Sequence, residues 1–487
     1  GAGSCLVVRA DLGGVLPVYV IDRYAGWQVR HVGDMSPAEL DAWGDHYRSA
    51  MTGVVQRERP DGALLNHIIP VPALVRDVFD SHNVPYVVKV HGSELEYAIA
   101  QDIPRWQPDA HRALMGAQRI LVGSAHIASR TCELVAPPED PDHATISSRM
   151  EEIPPGVDIE RFHPTADRAA TTRALLEVVS SHASSSNGRS SGASRALEAV
   201  LSVPGNAVDC AHRIAALHGT WEERDADQDA AASLEQLHLE DPDPPTVIFV
   251  GKFIRQKGVH LLLCALPFVR MSIPNLRVVI AGFGPQREGL EAIITLLDRG
   301  DIERVWSLAQ HGHLLDGGDD EPFTHIMQMF DDMDQDARRR YHDASVGIRS
   351  SIVFTGLVDH SVLSQLWPLG SVSVVPSILP EAFGMVSAEA AACGCPPIVA
   401  DHSGLATVAS ALDAQVPDAL RGIHAFDVHA EDAVHQLAER IIRLCTLTPE
   451  QRTAVTEAGL RTVASNWSWD SIAQRIAQTM ITGQVHA

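Results

Sequence analysis

Apolar and polar positions follow two rhythms along the chain. Short apolar runs bounded by turn residues occur at 15–21, 63–69, 86–90 and 119–122. A second series follows at 246–250, 276–281, 352–355, 372–375 and 397–400. Runs this short and this continuously apolar suit strands buried on both faces, as in parallel sheets. Between them the spacing turns helical, for example over 73–81 ahead of Asn83, and again in the tail over 469–481. Strand and helix patterns in alternation predict an α/β fold with parallel sheets.

With 487 residues the chain exceeds one ordinary core, and two domains are expected. The first α/β stretch covers 1–165 and the second 244–465, with an insertion at about 300–348. Between them, 180–194 reads SSHASSSNGRSSGAS, too polar to bury a core, so 166–243 is expected to be an expanded, partly disordered linker flanked by short helices. Residues 466–487 form the tail. In the insertion, Asp334 and Asp336 precede Arg338 and Arg340 by four residues, which predicts i,i+4 ion pairs on a solvated helix.

Charge and composition narrow the function classes. A net charge of −24 disfavours nucleic acid and anionic lipid surfaces as partners. No apolar run reaches the length of a transmembrane segment, and the start carries no secretory pattern. Seven cysteines are scattered without a C-x-x-C pair, which points to reduced thiols in the cytoplasm. Only three of the 38 basic residues are lysines: Lys89, Lys252 and Lys257. In so arginine-rich a chain, those three places single themselves out.

Two of them stand in 248–260, IFVGKFIRQKGVH. Lys252 closes a predicted strand, and Lys257 sits at a Lys-Gly turn before a helix. In parallel sheets ligands bind at the carboxyl ends of strands, where two ammonium groups can hold a diphosphate without a metal. Residues 376–405, PSILPEAFGMVSAEAAACGCPPIVADHSGL, follow another predicted strand. Glu381 lies in the loop, Phe383, Gly384 and Met385 lead into a helix, and Glu389 rides on it. Two carboxylates flanking a loop of free N–H groups suit a hydroxyl-rich, anionic ligand. The AGFGP turn at 281–285 reads equally well as a structural turn or a ligand loop. In the first stretch, VVKVHGSEL at 87–95 delivers His91 to a strand end. The pairs His311/His313 and Cys393/Cys395 lack the spaced companions of a zinc site, and no D-x-D stands at a strand end, so no metal is expected.

Taken jointly, VGKFIRQKGV, AGFGP, VFTGLV, PEAFGMVSAEAAACGCPPIVADHSGL, VKVHGSEL and PPGVDIERF resemble the GT-B glycosyltransferases of family 4. The resemblance implies two Rossmann-like domains facing a central cleft, and retaining transfer of a hexosyl group from a nucleotide diphosphate sugar. The sugar nucleotide would be a co-substrate, with no cofactor. Lys252 and Lys257 would grip the diphosphate; Glu381 and the backbone of Phe383, Gly384 and Met385 would hold the sugar hydroxyls. Glu389 would accept from the ribose, His91 would touch the donor sugar near the reacting centre, and the tail helix would cross back to the first domain. The acceptor stays open among saccharide, lipid and small molecule. One departure stands out: Leu12-Gly13-Gly14 is followed by the strand-like VLPVYVI, where the family has a Gly-Gly loop leading into a helix. The first domain thus reads as truncated by a βα unit, and a sugar-nucleotide-binding protein without turnover is the alternative reading.

Overall fold

Apolar runs become parallel strands in three sheets of the computed structural model, which describes residues 5–19 and 26–482. The chain divides into two units, Gly1–Pro155 with Asp470–Ala487, and Gly156–Trp469. In the first unit β1 (Val15–Val18) and β2 (Gln28–His31) pair in parallel by themselves. The strand expected over 15–21 is therefore shorter, and its residues 20–21 lie outside the described residues. A four-stranded parallel sheet of order β3-β4-β5-β6 follows: β3 (Ala63–Asn66), β4 (Tyr86–Val90), β5 (Arg119–Val122) and β6 (Met150–Glu152). The tail helix, Trp469–Thr482, lies on this sheet. Its Ile472 is buried with Val87, Leu121 and Ile153, and Thr479 Oγ1 donates to Glu151 Oε2 at 3.0 Å.

Lys89 proves to be structural. Its side chain lies buried under β4, and Nζ donates to the carbonyls of Ile153 and Pro154 at 3.2 and 3.4 Å. Burial, with a smaller contribution from Arg475, brings its pKa down to about 8.

The second unit holds β7 (Thr246–Val250), β8 (Arg277–Ala281), β9 (Ile352–Gly356), β10 (Val372–Val375), β11 (Pro397–Ala400) and β12 (Ala425–Phe426). They form one parallel sheet of order β12-β11-β10-β7-β8-β9. The chain builds outward from β7 to β9, then returns to the other side of β7 with β10. The crevice at the carboxyl ends of β7 and β10 is thus the sheet's topological switch point. Both flanks are covered by helices, as fully buried strands require.

The segment at 166–243 differs from the expected linker. It folds into the helices Arg168–Ser184, Ser191–Ser202, Ala207–Ala215 and Ala230–Glu235 within the second unit. Leu175, Val179, Leu197, Leu201 and Ile214 are buried. The polar stretch between the first two helices is anchored by Arg189, whose guanidinium pairs with Glu288 at 2.5 Å, the two side chains 5% and 2% exposed. Composition sees serines and glycines there; it cannot see a buried ion pair to a residue 99 positions away. The insertion is helical and packs into the core through Leu308, Phe330 and Tyr341. Its expected i,i+4 pairs give way to others: Asp334 caps the helix Gln335–Ser345 by accepting from Ala337 N, Arg338 reaches Glu303 at 2.8 Å, and Asp336 pairs with Arg339.

Candidate functional site

Each of the two units carries predicted site residues, and each is described by itself. In the second unit the loops after β7 and β10 touch. Gly258 adopts φ +66°, and a Cβ there would fall 2.0 Å from the Pro376 carbonyl oxygen, so only glycine permits this approach. Ile378 N donates to Gln256 O at 2.8 Å across the same contact. The result brings Lys257 Nζ to 2.8 Å from Glu381 Oε1, with the two side chains 30% and 17% exposed. Ser377 Oγ donates to the same carboxylate oxygen. Glu381 is held at its backbone as well: its N–H donates to Ser403 Oγ at 2.9 Å, and its carbonyl accepts from Gly404 N at 2.9 Å.

Gly384, at φ +96°, begins the helix Met385–Ala392. A Cβ on it would meet Leu405 Cδ2 at 2.4 Å. Phe383 points its ring into the core, edge-on to Trp467 with centroids 5.4 Å apart, so what it offers a ligand is backbone. Glu389, one turn into the helix, is 6% exposed. Burial pushes its carboxyl pKa up to about 7. The exposed His360 places Nε2 3.6 Å from Oε1. A buried carboxyl so weakly compensated is a common signature of functional sites.

Lys252 is not part of the Lys257–Glu381 pair. It is exposed, with Nζ 6.0 Å from the centre of the Phe283 ring. Phe283 belongs to the AGFGP turn, which packs directly on the loop after β7. Phe253 N donates to Phe283 O and Gln286 N to Phe253 O at 3.0 Å; a Cβ on Gly282 would lie 1.8 Å from Gly251 O. These glycines serve a close backbone approach.

In the first unit His91 follows β4. Its Nε2 lies 2.8 Å from Asn66 Oδ1, and its backbone N–H donates to Glu94 Oε1 at 2.9 Å. Glu94 is completely buried, and its second oxygen pairs with His67 Nδ1 at 2.9 Å. The His67 and His91 rings lie 4.7 Å apart. Burial, opposed by Glu94 and reinforced by His67 and Lys89, lowers the His91 pKa to about 4, so the imidazole is neutral at pH 7. Sequence reasoning overlooked Asn66, His67, Glu94 and Ser377. Asn66 and His67 leave β3 as His91 leaves β4, and adjacent strand ends in a parallel sheet converge; that was the available signal.

Among the described residues one group has metal-ligand spacing: His111 Nε2 lies 3.5 and 3.4 Å from Asp140 and Asp142 carboxylate oxygens, in the first unit. His311 and His313 are taken up by Asp320 and Glu321.

Residues 232–301 and 327–462 match the family model described as Glycosyl transferases group 1. Over 232 residues the chain is 24% identical to an uncharacterized glycosyltransferase of Methanocaldococcus jannaschii, covering 48% of this chain and 43% of that one. Over 239 residues it is 23% identical to the GDP-mannose-dependent alpha-(1-6)-phosphatidylinositol monomannoside mannosyltransferase of Mycobacterium tuberculosis, covering 48% and 46%. The chain thus spans about half the length of the curated relatives it matches. A solved glycosyltransferase of Rickettsia africae superposes with TM-score 0.52 at 11% identity, over 94% of this chain and 84% of that one. The matched part of the chain, which lies in the second unit, is thus similar to the glycosyl transferases of group 1, and the α/β fold with parallel sheets is that of GT-B proteins. Among the described residues no helix is long and apolar enough to cross a membrane.

Proposed function

We propose that this chain is a retaining, metal-independent glycosyltransferase of the family 4 type, transferring a hexosyl group from a nucleotide diphosphate sugar. The observation that carries the reading is the meeting of Lys257, Glu381 and the Gly384 helix start at the switch point of the second sheet. Lys257 and the exposed Lys252 would bind the diphosphate. Glu381 and the backbone at Phe383, Gly384 and Met385 would hold the sugar hydroxyls, and Glu389 would accept from the ribose. A buried carboxylate is costly unless something donates to it, and a pair of vicinal hydroxyls does so.

In the proposed reaction the bond from the anomeric carbon to the leaving phosphate oxygen breaks. The acceptor oxygen bonds to that carbon on the same face, and its proton passes to the leaving phosphate. Lys257 stabilises the charge growing on that phosphate, an electrostatic contribution that a fixed ammonium makes without reorganising. His91, neutral at pH 7, would lie against the donor sugar without adding positive charge where the transition state develops its own. The free cysteines among the described residues favour a cytoplasmic setting for the enzyme.

The test is direct. The purified protein, in excess EDTA, is incubated with UDP-, GDP- and ADP-hexoses, GDP-mannose among the first, and an added alcohol as acceptor, and the anomeric configuration of the glycoside is read by proton NMR. Nucleoside diphosphate release with retained configuration supports the proposal. Inverted products, or release that requires an added divalent metal, refute it.

A further inference from the structure

A cavity of about 500 Å³ opens in the first unit beside His91, within the size range of small-molecule sites. Its walls are mainly apolar: Leu16, Val18, Trp43, Tyr47, Ile69 and Val71 line it. Its polar side chains are Asn66, His67 and Ser93, with the hydroxyls of Tyr19 and Tyr47; the Tyr19 hydroxyl is already taken up by the Ile69 carbonyl and the Trp43 ring N–H is buried. The first three adjoin the His91 loop: Asn66 bonds the His91 ring, His67 lies 4.7 Å from it, and Ser93 Oγ donates to Glu94 at 3.4 Å. The hollow therefore has a chemical direction. Polar atoms cluster where His91 stands, and among the described residues the rest of the lining is mainly hydrocarbon and aromatic surface, poorly matched to a polyhydroxylated body. A free saccharide entering it would lose water from several hydroxyls without replacement, at about 1–3 kcal/mol for each unmet group.

We infer that the acceptor of the proposed transfer is an alcohol with an apolar body, its hydroxyl at the Asn66–His67–Ser93 end and its hydrocarbon or aromatic part against Leu16, Tyr47 and Val71. This inference rests on the transferase reading and deepens it by naming the acceptor class. The Trp43 and Tyr47 rings, with centroids 5.3 Å apart, supply a broad apolar surface on the helix Pro37–Glu58. Val71 opens the helix Val71–His82, where an acidic side chain suits the helix N-terminus.

The probe is 2-naphthol, one hydroxyl on an apolar ring system, compared with methyl α-D-glucopyranoside by isothermal titration and saturation-transfer NMR on the full chain. Naphthol binding that weakens at least tenfold in Val71→Asp and survives in Val71→Ile supports the inference. Tyr47→Ala gives a second reading at a position outside the sheet. Binding of the glucoside in preference to naphthol, naphthol binding indifferent to both Val71→Asp and Tyr47→Ala, or no binding of either probe overturns it. UDP, GDP and ADP are titrated in parallel by thermal shift. Failure of every nucleotide to bind counts against the transferase reading, whereas nucleotide binding with a naphthol-indifferent cavity counts against the acceptor class alone.

Discussion

Replacing Glu389 by Gln tests the proposed donor site through its protons. In the free protein burial holds this carboxyl at a pKa of about 7, well above its usual value. The sign follows from linkage. Below the unfolded pKa the group is neutral in both states. As pH rises toward 7 the unfolded chain gives up the proton that the folded chain keeps, so the stability associated with this group falls through that window. The loss is on the order of 3 kcal/mol once both states are ionised. Ribose hydroxyls that donate to the carboxylate favour its charged form, so donor binding should release a proton. If only the ionised form binds, about half of the molecules are competent at pH 7 and about one in ten at pH 6. Wild-type affinity should then drop about tenfold from pH 8 to pH 6. Glutamine can accept from one hydroxyl but carries no charge. Losing a charge-assisted bond of roughly 1.5–3 kcal/mol should weaken binding by about tenfold to 150-fold at pH 8. Calorimetric titration of sugar nucleotides, whose diester phosphates do not titrate in this range, at pH 6, 7 and 8 is the assay. The variant's affinity should be flat with pH. A flat wild-type profile, or a Gln variant as tight as wild type at pH 8, refutes the assignment of Glu389.

Three further outcomes follow from the same geometry. Gly258→Ala should cost stability by about 1–2 kcal/mol from its left-handed backbone alone, and should weaken donor binding as well, because the added methyl pushes the Lys257 loop off Pro376; chemical denaturation and titration read the two effects. Arg189→Ala should destabilise the second unit by about 3–5 kcal/mol, since it strands Glu288 without its buried partner; an unchanged urea midpoint would contradict the structural role given to that segment. Glu94→Ala should cost about 1–3 kcal/mol for the unpaired His91 N–H and His67 ring, and should cut turnover far more than donor affinity, which kcat and KM separate.

Much of the fold was legible because buried parallel strands write themselves as short apolar runs. Each strand of the central sheet from β7 to β11 lies where such a run falls, whereas β6 and β12, of three and two residues, are too brief to leave a pattern. The segment at 166–243 was misjudged because its order depends on Arg189, Arg287, Asp227 and Glu288 meeting inside the protein, and ion pairing at long separation has no local signature. At the proposed site, Lys257 and Glu381 stood out through their place in loops that follow strands, and Glu389 through its place on the helix after one of them. The sequence could not show that Lys252 lies over Phe283 rather than in the Lys257–Glu381 pair, nor that Glu94 is the buried hub of the His91 loop, since both depend on side-chain direction.

The most direct measurement is equilibrium binding of UDP-, GDP- and ADP-hexoses in EDTA to the wild-type protein and to Lys257→Ala. Lys257 is the ammonium that the structure sets against Glu381 at 2.8 Å. At least one sugar nucleotide should bind the wild type without metal and bind the variant at least tenfold more weakly. Equal affinity for the two proteins, or no binding by the wild type, would contradict the placement of the donor at this switch point.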